Sequence, residues 1–153
     1  MNARVRVAAV IISALLSAVV TACSGESAVD RTPRAHSAWS RPADSGAVGV
    51  AYFVLVNHDT VPLALSSVNT PVARAAEVHE TMQHEGMAHM QARPTLEVAA
   101  GDSAVFNAGG LHVMLIDLHH ALVAGDSIPL TLHFARGDSL LVRVGVRSAT
   151  GLP

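Results

Sequence analysis

The chain has 153 residues, 50% hydrophobic and 14% charged, with a net charge of −2. That length suits one domain, and the charge balance leaves no basic field for nucleic acid and no acidic run for a cationic partner. One cysteine against nine histidines and five methionines excludes a disulfide framework, a cysteine-ligated zinc site and an iron–sulfur cluster.

At the N-terminus, Arg4 and Arg6 precede an apolar stretch from Val7 to Val20, and small residues lead to Cys23. This is the build of a secretory signal; the apolar stretch is short for a membrane span of about 20 residues. Val20-Thr21-Ala22-Cys23 resembles a bacterial lipobox, in which the signal is cut before the cysteine and the cysteine is lipidated. An ordinary secretion signal containing a cysteine is the plainer alternative. The place of Cys23 at the end of the apolar stretch, with no other cysteine in the chain, favours the lipoprotein. The expectation is a signal over residues 1–22, then a lipidated Cys23 with a flexible, polar tether over 23–37. The domain spans 38–150, on the periplasmic side of the cell envelope and anchored to a membrane.

From Trp39 onward the pattern is all-β. "VGVAYFVLVN" (48–57) is rich in β-branched and aromatic residues, and "LALSSVNTP" (63–71) is stopped by Pro71. The tripeptide Gly-Asp-Ser stands at 101–103, 125–127 and 137–139, each time between apolar runs. Glycine supplies permissive backbone and aspartate a side-chain acceptor, so these are strand-linking turns. No segment reads as a helix of ordinary length. The fold class is all-β: a β-sandwich or small Greek-key barrel of about eight short strands.

Between the second and third of these regions lies "AEVHETMQHEGMAHMQARP" (76–94), with His79, Met82, His84, Met87, His89 and Met90. His-Glu pairs at 79–80 and 84–85 are each followed by a histidine five residues on. A zinc peptidase needs the i, i+4 spacing that puts both ligands on one helical face, whereas five residues stand about 140° apart on a helix. A hairpin turning at Glu85-Gly86 is the better reading. It sets Thr81 opposite Met90 and Met82 opposite His89, so that His79 becomes a diagonal neighbour of Met90. Further on, "NAGGLHVMLIDL" (107–118) follows a Gly-Gly turn with a strand that puts Leu111, Val113 and Leu115 on one face and His112 and Met114 on the other. Two His-Met pairs on adjacent strands would make an N2S2 set. Thioether sulfur is soft and selects Cu(I) over Zn(II), Mg(II) or Ca(II). A blue-copper site would need a thiolate beside two histidines, and Cys23 is the only cysteine.

The four positions His79, Met90, His112 and Met114 read His-x10-Met-x21-His-x-Met. This pattern resembles the signature of the PCuAC family of periplasmic copper(I) chaperones. "AWSRPADSGAVGVAYFVLVN" (38–57) resembles the family's opening Trp-x-Arg-Pro and the strand running to Asn57. "ARAAEVHETM" is similar to its ligand-bearing strand, "GGLHVMLIDL" to its Gly-Gly-x-His-x-Met strand, and "GDSIPLTLHF" to its closing hairpin. The resemblance covers most of the domain. It implies a cupredoxin-like β-sandwich that binds Cu(I) outside the cytoplasm and supplies it to copper enzymes. The dinuclear copper centre of cytochrome c oxidase is the foremost recipient, directly or through another copper-assembly protein. Two departures from the family are expected: a lipid anchor, where members are often soluble, and, with the sequence reading "RSATGLP" at its end, no His/Met-rich tail of the kind some carry.

Around this set, Met82, His84, Met87 and His89 read either as auxiliary metal ligands or as solvated turn residues. His119 and His120 read as turn residues, His133 and His58 as ordinary strand and turn histidines, and Trp39 as a core anchor. Glu80 and Asp117 are candidates to tune the ligands from behind. No serine sits in a Gly-x-Ser-x-Gly context, and a thiol reductase would need a reactive cysteine pair. The expectation is therefore a binding protein and not an enzyme. The alternative is a copper-sequestering lipoprotein without a dedicated recipient.

Overall fold

The computed structural model describes residues 30–84 and 86–148. Side-chain alternation gives the longer wall strands one inner face. In Gly49–Val56, Ala51, Phe53 and Leu55 are buried to 1% exposure or less, while Val50, Val54 and Val56 between them are only half-buried. The described residues form ten strands: β1 (Arg34–Ser40), β2 (Gly49–Val56), β3 (Leu63–Asn69), β4 (Ala73–His84), β5 (Met87–Ala92), β6 (Leu96–Val98), β7 (Ser103–Val105), β8 (Leu111–Leu118), β9 (Ser127–Phe134) and β10 (Ser139–Val146). No helix occurs among the described residues.

The strands pair in the order β4-β8-β2-β1-β10-β9-β3, and β3 meets β4 again at a single pair, Val68 with Ala76. The sheet thereby closes on itself, a flattened barrel with the build of a cupredoxin-like Greek-key sandwich. β5 extends β4 at one edge, β6 extends β3, and β7 lies along β2. The first and last strands pair in parallel, and the other pairings are antiparallel. Val113, Leu115, Leu130, Leu132 and Val144 are fully buried inside. Burying each such side chain contributes about 1.5–3 kcal/mol relative to leaving it in water. Among the described residues, Asn57 is the one fully buried side-chain amide. Its Nδ2 donates to the carbonyls of Val61, Val98 and Ala99 at 2.9, 3.1 and 3.0 Å, and its Oδ1 accepts from the Asp59 N–H at 3.0 Å. It thus ties the loop after β2 to the end of β6 with its own polar atoms paired.

The all-β class holds, with ten strands where about eight were expected; β6 and β7 are too short to show alternation in sequence. β1 begins at Arg34, so Arg34, Ala35 and His36, expected within the tether, are paired with β2. A bulge between His36 and Trp39, with Ser37 at φ 55°, breaks the alternation that would have announced this strand. All three Gly-Asp-Ser segments are turns, with Gly101, Gly125 and Gly137 at φ values of 70°, 102° and 98°, where glycine is the favoured residue. The signal, Cys23 and the tether up to residue 29 lie outside the described residues.

Candidate metal centre

The geometry is set by which residues β4, β5 and β8 place opposite one another. On β4 and β8, His79 stands directly across from His112, and Glu77 across from Met114. On β4 and β5, Thr81 stands across from Met90, so Met90 is the diagonal neighbour of His79. Met114 is also paired with Val50 of β2. His79, Met90, His112 and Met114 therefore share one face, the outer face of the barrel wall, spread over three adjacent strands. The ring centroids of His79 and His112 are 6.1 Å apart.

Each imidazole is held through one nitrogen. Nδ1 of His112 lies 3.0 Å from the carbonyl oxygen of Gly110. A carbonyl only accepts, so Nδ1 carries the proton and Nε2 keeps its lone pair. His79 Nε2 lies 3.1 Å from a carboxylate oxygen of Glu77, so by the same reasoning Nδ1 is its free donor. His112 is 5% exposed and the His79 side chain 16%, whereas Met114 is half-buried and Met90 is 57% exposed.

The Gly110 carbonyl is itself well anchored. β7 and β8 both run along β2, and residues 106–110 bridge them. Phe106 is buried, stacks on Phe53 with centroids 4.2 Å apart, and donates its N–H to the Phe53 carbonyl at 2.8 Å. An aromatic pair of this kind contributes about 0.5–1.5 kcal/mol beyond its buried area. Asn107 N–H then donates to Leu111 at 2.7 Å, and Gly110 O accepts from both Thr81 N–H (3.1 Å) and His112. One carbonyl thus joins the loop, the hairpin strand and the ring. The pair of glycines has two separate causes. Gly109 has φ 85°, and a Cβ at Gly110 would stand 2.6 Å from Asn107 Oδ1.

Among the described residues, no three side chains of His, Cys, Asp or Glu gather into a metal-binding group. Beside the two histidines and Glu77, this face bears the thioethers of Met90 and Met114.

The family model described as "Putative lipoprotein LpqE-like" matches residues 34–146. The chain belongs to this family. A relative named "Putative lipoprotein Lxx21020", from Leifsonia xyli subsp. xyli, is 30% identical over 115 residues, which is 74% of this LpqE-like chain and 69% of the relative. Among solved structures, the copper-bound PCuAC domain from PmoF2 superposes with a TM-score of 0.64 at 20% identity, over 79% of this chain and 96% of that one. The solution structure of CuI-DR1885 from Deinococcus radiodurans superposes with a TM-score of 0.59 at 28% identity, over 81% of this chain and 83% of that one. The resemblance to PCuAC domains seen in the sequence thus holds for the whole fold.

The other sequence candidates separate in the LpqE-like structure. Met82 and His89 oppose each other on the back of the hairpin, and the backbone of His84 pairs with Met87. Glu80 also faces the back, where its carboxylate is bound by Arg93 through Nε at 2.7 Å and through Nη2. Asp117, at φ 57°, pairs with Arg74 at 3.3 Å. Neither supports the histidines. That role falls to Glu77 and Gly110, and the signal for Glu77 was its position two residues before His79, on the same face of the same strand. Trp39 is not in the core. It stands half-buried on the outer face of β1, with Tyr52 at 4.6 Å between centroids and the Arg41 guanidinium 5.9 Å from its ring. His119 and His120 lie exposed in a bend, and His119 Nδ1 contacts the Pro71 carbonyl at 3.1 Å.

Proposed function

We propose that this chain is a carrier of Cu(I) outside the cytoplasm, holding one ion through His79, Met90, His112 and Met114 and passing it to copper enzymes. The carrying observation is the direct opposition of His79 and His112 on a face that also bears Met114 and Met90. Two neutral imidazoles and two thioethers are a soft set suited to Cu(I) and poorly suited to Cu(II) or hard cations. His112 Nε2 and His79 Nδ1 are the lone pairs that the Gly110 and Glu77 contacts leave free. Copper in the PmoF2 domain and Cu(I) in the Deinococcus protein support the choice of ion. The ion is cargo, and the site needs no nucleophile and no acid–base pair.

The same reading takes Cys23 as the lipidated residue that fixes the domain to the membrane after the signal over 1–22 is removed. The lipoprotein names of the family and of the Leifsonia relative support this. The recipient is a copper protein of the same compartment, with the dinuclear centre of cytochrome c oxidase as the candidate to try first. Anaerobic Cu(I) titration of the full chain in mild detergent, against a chromophoric chelator, tests the centre together with X-ray absorption at the copper edge. A tight equivalent with both nitrogen and sulfur neighbours that disappears in His112→Ala is the expected result. Nitrogen and oxygen neighbours alone would overturn it.

A further inference from the structure

The β4–β5 ribbon has a second face. On the side opposite His79 and Met90, Met82 lies directly across from His89, and Met87 follows two residues along β5 on that same side. Directly opposed residues of an antiparallel pair have Cβ atoms about 4.5–5.5 Å apart, a gap that a thioether and an imidazole span together. All three side chains reach solvent: Met82 is 40% and Met87 59% exposed, and His89 is exposed as well.

This surface is unusual for a projecting ribbon, which is commonly kept soluble by charge. Three of the eight large hydrophobic side chains exposed among the described residues, Met82, Met87 and Met90, fall on this one hairpin. The carboxylate on the same face, Glu80, is engaged by Arg93 and is not offered to an ion. Among the described side chains, the soft donors on the back of the ribbon are two thioethers and one imidazole, a set that selects Cu(I) for the reason the front does.

We propose that Met82, Met87 and His89 form a second Cu(I) site. It stands on residues separate from the four of the centre proposed above, so the two can fail independently. Its ligands are exposed and belong to a ribbon with solvent on both faces, so it holds copper more weakly and exchanges it faster than the front. It is placed to collect the ion one ribbon thickness away from His79 and Met90.

The test is Cu(I) titration of the full chain under the same anaerobic competition. The expected result is two equivalents of unequal affinity. The variant Met82→Leu/Met87→Leu/His89→Ala should lose only the weaker one and keep its far-UV circular dichroism, since Met→Leu nearly conserves volume. His112→Ala should do the reverse, losing the tighter equivalent and keeping the weaker. A wild-type chain that takes one equivalent, or a triple variant that still takes two, overturns the back site. A tight equivalent that survives His112→Ala overturns the front centre and leaves this proposal standing.

Discussion

β8 and the β4–β5 hairpin bring their residues to the same face under opposite conditions. β8 is a wall strand between β4 and β2, with Val113 and Leu115 fully buried on its inner face and His112 5% exposed on its outer one. β5 is an edge with a single neighbour, and every one of its residues is exposed. The proposed centre is therefore half wall and half arm. A protein that only stored copper would gain from four donors fixed in the wall. A protein that must give copper up gains from one donor a recipient can replace, and the exposed thioether of Met90 is placed for that.

The largest expected contrast is in amide exchange. Amides of β8 should exchange only through global opening, and those of β5 through local fraying of the ribbon, orders of magnitude faster. Equal protection in the two strands would break the comparison. Next come the thioethers. Met114→Leu should weaken Cu(I) binding by roughly a hundredfold and Met90→Leu by roughly tenfold, both with the fold retained. Chelator competition measures this, and equal losses would mean that wall and arm contribute alike. Gly110→Ala should weaken binding by about tenfold, because the new Cβ meets Asn107 and shifts the carbonyl that holds His112. An unchanged affinity would show that this ring does not depend on the loop. The smallest effect should be Glu77→Ala, a few-fold at most, since Glu77 is itself half in solvent and orients only the arm-side histidine.

How much of this was legible depended on sequence distance. The hairpin register was readable because Glu85-Gly86 marks its turn and alternation then fixes every pair from His84–Met87 to His79–Ala92. That His112 and Met114 share a face was readable within β8 alone. That His79 faces His112 directly was not, because β4 and β8 are joined through intervening strands and no local turn sets their register. The support from Gly110 was hidden for a related reason: its carbonyl acts through a loop whose path is fixed by Phe106 in the core. Trp39 was misplaced because a lone tryptophan suggests an anchor, whereas the bulge at Ser37 leaves Ser40 buried and turns Trp39 outward.

The run of β7 and β8 along one side of β2 has a consequence for how such a protein can vary. Residues 106–110 are an excursion from what is otherwise a continuous path on the same neighbour, with both ends of the detour pinned to the barrel. Its length and composition can change while the pairings on either side stay as they are. Affinity at the proposed centre would in this sense be a replaceable module: descendants of this chain could retune the pose of His112 by editing a few loop residues, without asking the rest of the sheet to fold differently.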